Sequence, residues 1–236
     1  PTATESNGLR LWYRADLGVT KDGSDKVGQW SDLSGNANHI GQATVAQKPT
    51  WVSSALNGKP VLQFAGGVNL ASSSPLDVHA GSSDQTVIAV IAPAATQASW
   101  STIVDLSSGP GQGFALQQDN ALTNRYKLWW MGNPAGGWKA SPGAPTTAGI
   151  GVQVITSVKN GATASDFVNG AAQGTTTVPA TIQTPTAILE VGNAVGGGYA
   201  YAGQIAEVLI YNRALTTTER QNIEAALLSR YVNPDL

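Results

Sequence analysis

Residues 203–232 read GQIAEVLIYNRALTTTERQNIEAALLSRYV, and they place one strand directly before one helix. The stretch 205–211 (IAEVLIY) is a short, apolar run rich in β-branched residues, which reads as a strand. Thr216 is followed three residues later by Glu219, the capping-box spacing that satisfies orphan N–H groups at a helix start. Ile223, Leu227 and Tyr231 then fall at i, i+4 and i+8 and form one apolar stripe, and Asn233-Pro234 stops the helix.

Upstream of that pair every periodic segment is strand-like. Residues 9–13 alternate, with Leu9, Leu11 and Tyr13 on one face and Arg10, Trp12 and Arg14 on the other. Residues 86–92 (TVIAVIA) form a continuous apolar run, as expected for a strand buried on both faces. Further strands are expected at 51–56, 61–64, 101–106, 113–117, 126–130, 152–159, 166–168 and 188–191. Asn57-Gly58, Asn160-Gly161 and Asn169-Gly170 each mark a hairpin, because a type I′ turn needs two residues at positive φ. The chain is therefore all-β, a sandwich or barrel with one short C-terminal helix. No composition break marks a linker, so residues 1–236 are expected to form a single domain.

Composition narrows the partners. Charged residues make up 12% of the 236, about half the usual ~25%. Thirteen scattered basic residues and a net charge of −2 form no patch able to neutralise a phosphate backbone, so no nucleic acid is expected. No apolar run approaches the ~18 residues of a membrane span, and no membrane insertion is expected. Cysteine is absent, which removes disulfides and thiolate sites. The chain opens at Pro1 without a leader-like apolar stretch, which reads as a processed or excised terminus. A surface rich in Ser, Thr, Asn and Gly suggests an extracellular or cell-surface setting, a virion included.

The two ends carry a family resemblance. GLRLWYRADLGV (8–19), KVGQWSDLSGNANHIGQAT (26–44), KPTW (48–51) and LNGKPVLQF (56–64) resemble the opening of bacterial laminin-G-like domains of the concanavalin-A-like lectin/glucanase superfamily. Residues 203–232 are similar to that family's closing signature, a Gly-x-Ile-x-Glu-Val strand followed by Thr-x-x-Glu-Arg and a helix. The middle fits only as generic strands with a Phe-Val-Asn-Gly hairpin at 167–170. The resemblance implies a concanavalin-A-like jelly-roll sandwich of two antiparallel sheets. It departs at Ala206, where many relatives place an aspartate before the strand glutamate. The fold hosts many unrelated functions, so function must come from the site.

Glycoside hydrolysis generally needs two carboxyl groups flanking the scissile bond. Glucanases of this fold place theirs as Glu-x-Asp-x-Glu on one strand. The five glutamates here, Glu5, Glu190, Glu207, Glu219 and Glu224, have no acidic residue two positions away. Glu207 is read as a structural carboxylate bonded to the backbone or to an arginine such as Arg213. His39 and His79 are the only histidines, and neither lies in the Gln-x-His of the related lyases. His39 reads as a turn residue and His79 as a surface residue. No Gly-x-Ser-x-Gly occurs. The chain is read as not an enzyme.

Asp32, Asn36 and Asn38 in SDLSGNANH make the best local oxygen cluster, and calcium is the one cofactor it could hold. It lacks a second carboxylate, so an Asx-turn loop is the stronger reading. Pyranose rings have an apolar face that stacks on aromatic side chains. Alternation in RYKLWW (125–130) sends Tyr126, Leu128 and Trp130 one way and Arg125, Lys127 and Trp129 the other. Trp129, Trp138, Arg125 and Asn133 form the leading candidate ligand surface, with Trp100, Tyr199 and Tyr201 behind them, and for each of Trp129, Trp138 and Trp100 packing over a loop is the alternative reading. The expected function is a non-catalytic carbohydrate-binding or adhesion module of an extracellular multidomain protein, its partner a polysaccharide or glycan. The alternative is a structural or decoration domain of a virion or cell-surface assembly with protein partners. A hydrolase or lyase ranks last.

Overall fold

Two antiparallel sheets enclose a common core in the computed structural model, which describes residues 5–107, 112–119, 125–131, 138–145 and 151–232. The back sheet runs β16 (Ala171–Thr177), β15 (Thr163–Val168), β14 (Gln153–Asn160), β8 (Gln85–Pro93), β18 (Ala202–Tyr211), β6 (Lys59–Ala65) and β5 (Thr50–Leu56). In addition, β1 (Leu9–Arg14) pairs with the second half of β18. The front sheet runs β12 (Trp138–Ala140), β11 (Arg125–Met131), β10 (Gly113–Gln118), β9 (Thr102–Ser107), β17 (Glu190–Val191), β7 (Leu70–Ala71), β4 (Ile40–Gly41), β3 (Val27–Trp30) and β2 (Val19–Lys21). The short β13 (Ala144–Pro145) also pairs with β11. This is the expected jelly-roll sandwich.

Alternation builds two apolar layers. Between the sheets, Leu11, Phe64, Val87, Ala89, Ile91 and Val208 from the back meet Val104, Leu106, Phe114, Leu116, Leu128 and Trp130 from the front. The other face of the back sheet packs Ile88, Val90, Val154, Leu209 and Tyr211 against Ile223, Leu227 and Tyr231 of the helix α1 (Thr217–Tyr231). Strand β8 supplies both layers, so its sequence is apolar throughout.

Two of the three Asn-Gly hairpins form as expected. Asn57 and Gly58 (φ 48° and 69°) and Asn169 and Gly170 (φ 50° and 82°) occupy the central positions of two-residue turns. The third is shifted by one residue. Asn160 pairs with Thr163, so Gly161 (φ 54°) and Ala162 make the turn. A glycine at the first central position suits a type II′ turn.

The helix starts on the expected capping box. Thr216 Oγ1 accepts from the Glu219 amide at 3.3 Å, and Glu219 Oε2 accepts from the Thr216 amide at 2.9 Å. Arg213 grips the same glutamate with two hydrogen bonds of 2.7 and 2.8 Å, holding its carboxyl near a pKa of about 2. Arg220 lies over the Phe167 ring at 3.6 Å and pairs with Glu224, which docks the helix on β15. Thr216→Ala removes a cap worth about 1 kcal/mol. It is expected to lower the melting temperature by ~2–4 °C, as read by circular dichroism.

Glu207 lies at a β-bulge. The register of β18 against β8 shifts between Ile205 and Glu207, so Ile205 enters the inter-sheet core while Ala206 joins the helix-side layer. The strict alternation expected for 205–209 breaks there. The carboxylate takes Arg230 as partner, and Arg213 belongs to Glu219 instead.

Candidate functional site

The site lies on the outer face of the front sheet, where cross-strand register aligns one row of side chains. Trp129 on β11 stands opposite Ala115 on β10, Ala115 opposite Asp105 on β9, and Asp105 opposite Glu190 on β17. Glu190 in turn faces Ala71 on β7, which faces Gly41 on β4. Neighbours in this row alternate with Trp130, Phe114, Leu106 and Val191, which point into the core. Directly opposed residues share a face of the sheet, so the row is continuous. Its members beside the carboxylates are small, and they leave the floor open.

Over one end of the row sits a hollow of about 390 Å³ lined by Trp100, Asp105, Gln117, Trp129, Val195 and Tyr199, among others. Three of the candidate aromatics thus meet from three separate segments. Trp100 and Trp129 stand 5.5 Å apart between ring centroids at an interplanar angle of 60°. Tyr199 is 43% exposed at the rim. A second hollow of about 520 Å³, lined by Gln29, His39, Gly41, Gln42 and Ala71, opens further along the same row.

Thr102 positions the aromatic wall. Its hydroxyl donates to the Trp100 carbonyl at 2.9 Å and accepts from Gln117 Nε2 at 2.9 Å. Its amide donates to the Tyr199 carbonyl at 2.9 Å. Trp100 holds φ at 62°, a left-handed conformation that costs a bulky residue of order 1–3 kcal/mol and clusters at binding sites. The loop carrying Tyr199 is strapped down through Val195, whose amide donates to Asp105 Oδ2 at 2.9 Å. Gly192 at its base accepts no side chain, since a Cβ would lie 2.3 Å from the Phe64 ring.

The carboxylates are the electrostatic centre. Asp105 is 3% and Glu190 8% exposed, and Asp105 Oδ1 and Glu190 Oε2 are buried without hydrogen-bond partners. Burial raises the pKa of Asp105, against the pull of Ser107 and the Val195 amide. Burial, and then the charge of Asp105, pushes Glu190 up to about 7. Trp129 Nε1 is a buried donor without a partner in the same hollow.

The remaining expected site residues lie elsewhere. Tyr201 is a correction. Its side chain is fully buried in the inter-sheet core, edge-on to Phe64 and Tyr126, because its amide bonds to Gly192 and turns the ring inward. Arg125 donates to the Gly143 carbonyl at 3.2 Å and does not line the hollow. The backbone of Trp138 pairs with Met131, but its side chain and all of Asn133 lie outside the described residues. His79 is also a correction. It is 1% exposed, edge-on to Phe114, and burial lowers its pKa to about 4.

The Asp32 loop is bound up with the protein's own backbone. Asp32 Oδ1 accepts from the Trp12 and Ser34 amides, and Oδ2 from Ser34 Oγ and the Asn38 amide. Asn36 and Asn38 donate from Nδ2 to the carbonyls of Leu9 and Arg10 on β1. This is the Asx-turn arrangement. Among the described residues no three His, Asp or Glu side chains gather as metal ligands, and no helix is long and apolar enough to cross a membrane.

Asp105, Glu190 and Gln117 were not among the expected site residues. The two acids are 85 positions apart, and only the register of β9 against β17 brings them together.

A two-sheet jelly roll with an aromatic-walled hollow on its front sheet defines the class. Residues 62–219, more than half of the chain, match the family described as the concanavalin A-like lectin/glucanases superfamily, and the chain belongs to it. The match takes in the middle strands, while most of the N-terminal resemblance precedes it. No curated protein sequence matches. Among solved structures the chain is similar to domain 4 of AbnA, a GH43 extracellular arabinanase from Geobacillus stearothermophilus solved with arabinotriose. The TM-score is 0.63 at 16% identity, over 92% of this chain and 98% of that one. It is also similar to Trypanosoma rangeli sialidase in complex with sialic acid, with a TM-score of 0.63 at 16% identity, over 98% of this chain and 34% of that one. The binding domain of Paraclostridial Mosquitocidal Protein 1 gives a TM-score of 0.65 at 14% identity, over 95% of this chain and 53% of that one. The chain thus spans about a third and about half of the latter two, and at these identities the likeness is one of fold.

Proposed function

We propose that this chain is a non-catalytic carbohydrate-binding module of an extracellular protein, and that it holds a glycan in the hollow bounded by Trp100, Trp129 and Tyr199. One observation carries the reading. Aromatic rings from three segments converge on a hollow that also contains a buried acceptor, Asp105 Oδ1, and a buried donor, Trp129 Nε1, neither with a protein partner. Sugar rings stack their C–H faces on aromatic surfaces, and their hydroxyls satisfy such donors and acceptors. The second hollow along the row provides room for further sugar units. The fold likeness to a domain solved with arabinotriose agrees with this reading.

Trp129→Ala is expected to weaken binding to the best polysaccharide of a screening panel by at least about tenfold, or ~1.4 kcal/mol, with the circular dichroism spectrum unchanged. Unchanged affinity in Trp129→Ala and in Trp100→Ala would place the binding surface elsewhere.

The cross-strand pair Asp105–Glu190 favours a second reading, glycoside hydrolysis, because perturbed carboxyls in a cleft are what that chemistry uses. The non-catalytic reading is preferred because Glu190 does not line the hollow and Asp105 spends one oxygen on Val195. Release of reducing ends that vanishes in Glu190→Gln would establish the second reading.

A further inference from the structure

We infer that the hollow selects an amine-bearing sugar, a 2-amino-2-deoxy unit with a free ammonium, over neutral, N-acetylated and acidic sugars. The inference rests on the carbohydrate reading and names the ligand class of that same site.

The argument is one of charge. Asp105 and Glu190 stand side by side in register with an unpartnered buried oxygen each, and among the described residues no Lys, Arg or His lines the hollow. Lys127 lies 5.7 Å from the Trp129 ring centroid and is committed to Asp119 at 2.6 Å. Two adjacent buried carboxyls without a counter-charge are costly, and they retain a proton to limit that cost. A cation in the hollow relieves it, a neutral sugar leaves it, and an acidic sugar adds repulsion.

The walls agree with the floor. Aromatic faces carry negative potential and attract ammonium groups within about 6 Å, more strongly when water is excluded. Trp100, Trp129 and Tyr199 around Asp105 thus form an aromatic cage with an acidic base. An N-acetyl group removes the positive charge and the ammonium donors together, so it forfeits both contacts.

Seating the ammonium favours full ionisation of the pair, so at a pH where the free amine is already protonated and the pair still holds a proton, binding releases that proton to solvent.

The test is titration calorimetry at a mildly acidic pH, below the range in which the sugar amine loses its proton, with four oligosaccharides of matched length: fully deacetylated chitosan, its N-acetylated counterpart, a neutral cello-oligosaccharide and a sialylated oligosaccharide. Each is run in two buffers of different ionisation enthalpy. The deacetylated chain is expected to bind about tenfold or more tighter than the N-acetylated one and to release protons. The advantage should vanish in Asp105→Asn and in Glu190→Gln. A preference that survives both substitutions is diffuse attraction to an acidic protein and overturns the inference. Equal or tighter binding of a neutral, N-acetylated or sialylated chain also overturns it while leaving the carbohydrate reading intact. Failure of all four to bind, in a protein that melts cooperatively, counts against the carbohydrate reading and removes the inference with it.

Discussion

Glu207→Ala is expected to lower the melting temperature by on the order of 10 °C. The carboxylate is 1% exposed and joins three elements. Its Oε1 accepts from Trp12 Nε1 on β1 at 2.6 Å. Its Oε2 accepts from Arg230 at 2.8 Å and from the Tyr231 hydroxyl at 2.9 Å, both on α1. Truncation leaves the indole N–H and the tyrosine hydroxyl unsatisfied beneath the helix, and it strips Arg230 of its counter-charge. Breaking a buried pair from one side costs about 3–5 kcal/mol. A domain of this size loses ~2–4 °C per kcal/mol. Glu207→Gln keeps an acceptor for Trp12 and loses the charge, so its melting point should fall between. Calorimetric melting of both variants checks this. A shift of only a degree or two for alanine would mean that water replaces the carboxylate freely.

Glu207 also shows how far pattern carries and where it stops. Its strand, its helix and the capping box between them are local features, set by apolar spacing and by Thr216 and Glu219. They form as read. The partner of Glu207 is not local. A bulge at Ala206 turns the carboxylate toward the helix end, and period-two alternation contains no sign of an extra residue. The same limit explains Tyr201. It shares a glycine-rich loop with Tyr199, and such a loop has no periodicity from which to phase a ring inward or outward. For β11 the phase was legible, because Tyr126, Leu128 and Trp130 alternate cleanly with Arg125, Lys127 and Trp129.

The carboxyl pair was invisible for a topological reason. A search for acids two positions apart finds pairs on one strand, yet Asp105 and Glu190 are neighbours across two strands. Each is a single acid in an apolar run, STIVDL or AILEV, and nothing in either run selects its partner. One retrospective signal exists: an acid at an outward position in a strand otherwise built for the core needs something to face. The aromatic part of the site was legible as residue types, and its convergence was not.

That pair makes the stability of the chain depend on pH in a direction opposite to the usual carboxylate. Glu190 has an unfolded pKa near 4.5 and a folded value of about 7, raised by burial and then by Asp105. Between those values the native state binds more protons than the unfolded chain, so stability falls as pH rises. The penalty is absent below the unfolded value and complete above the folded one. Asp105 is shifted the same way by burial and adds to the fall. His79, lowered to about 4 by burial, works oppositely, since its unfolded form takes up a proton that the native form refuses. Its contribution rises with pH between about 4 and 6.5, so the wild-type curve alone mixes two effects. The difference between Glu190→Gln and wild type isolates one, because His79 is common to both. Glu190→Gln is expected to gain up to about 3 kcal/mol over wild type at alkaline pH, from a shift worth 1.36 kcal/mol per unit. At a pH near 4.5 the gain should shrink to almost nothing. Denaturant melts of the two proteins across that range measure the difference directly. A gain that does not change with pH would mean that Glu190 is ionised throughout and that its oxygens are solvated, which would also remove the charge argument for an ammonium in the hollow.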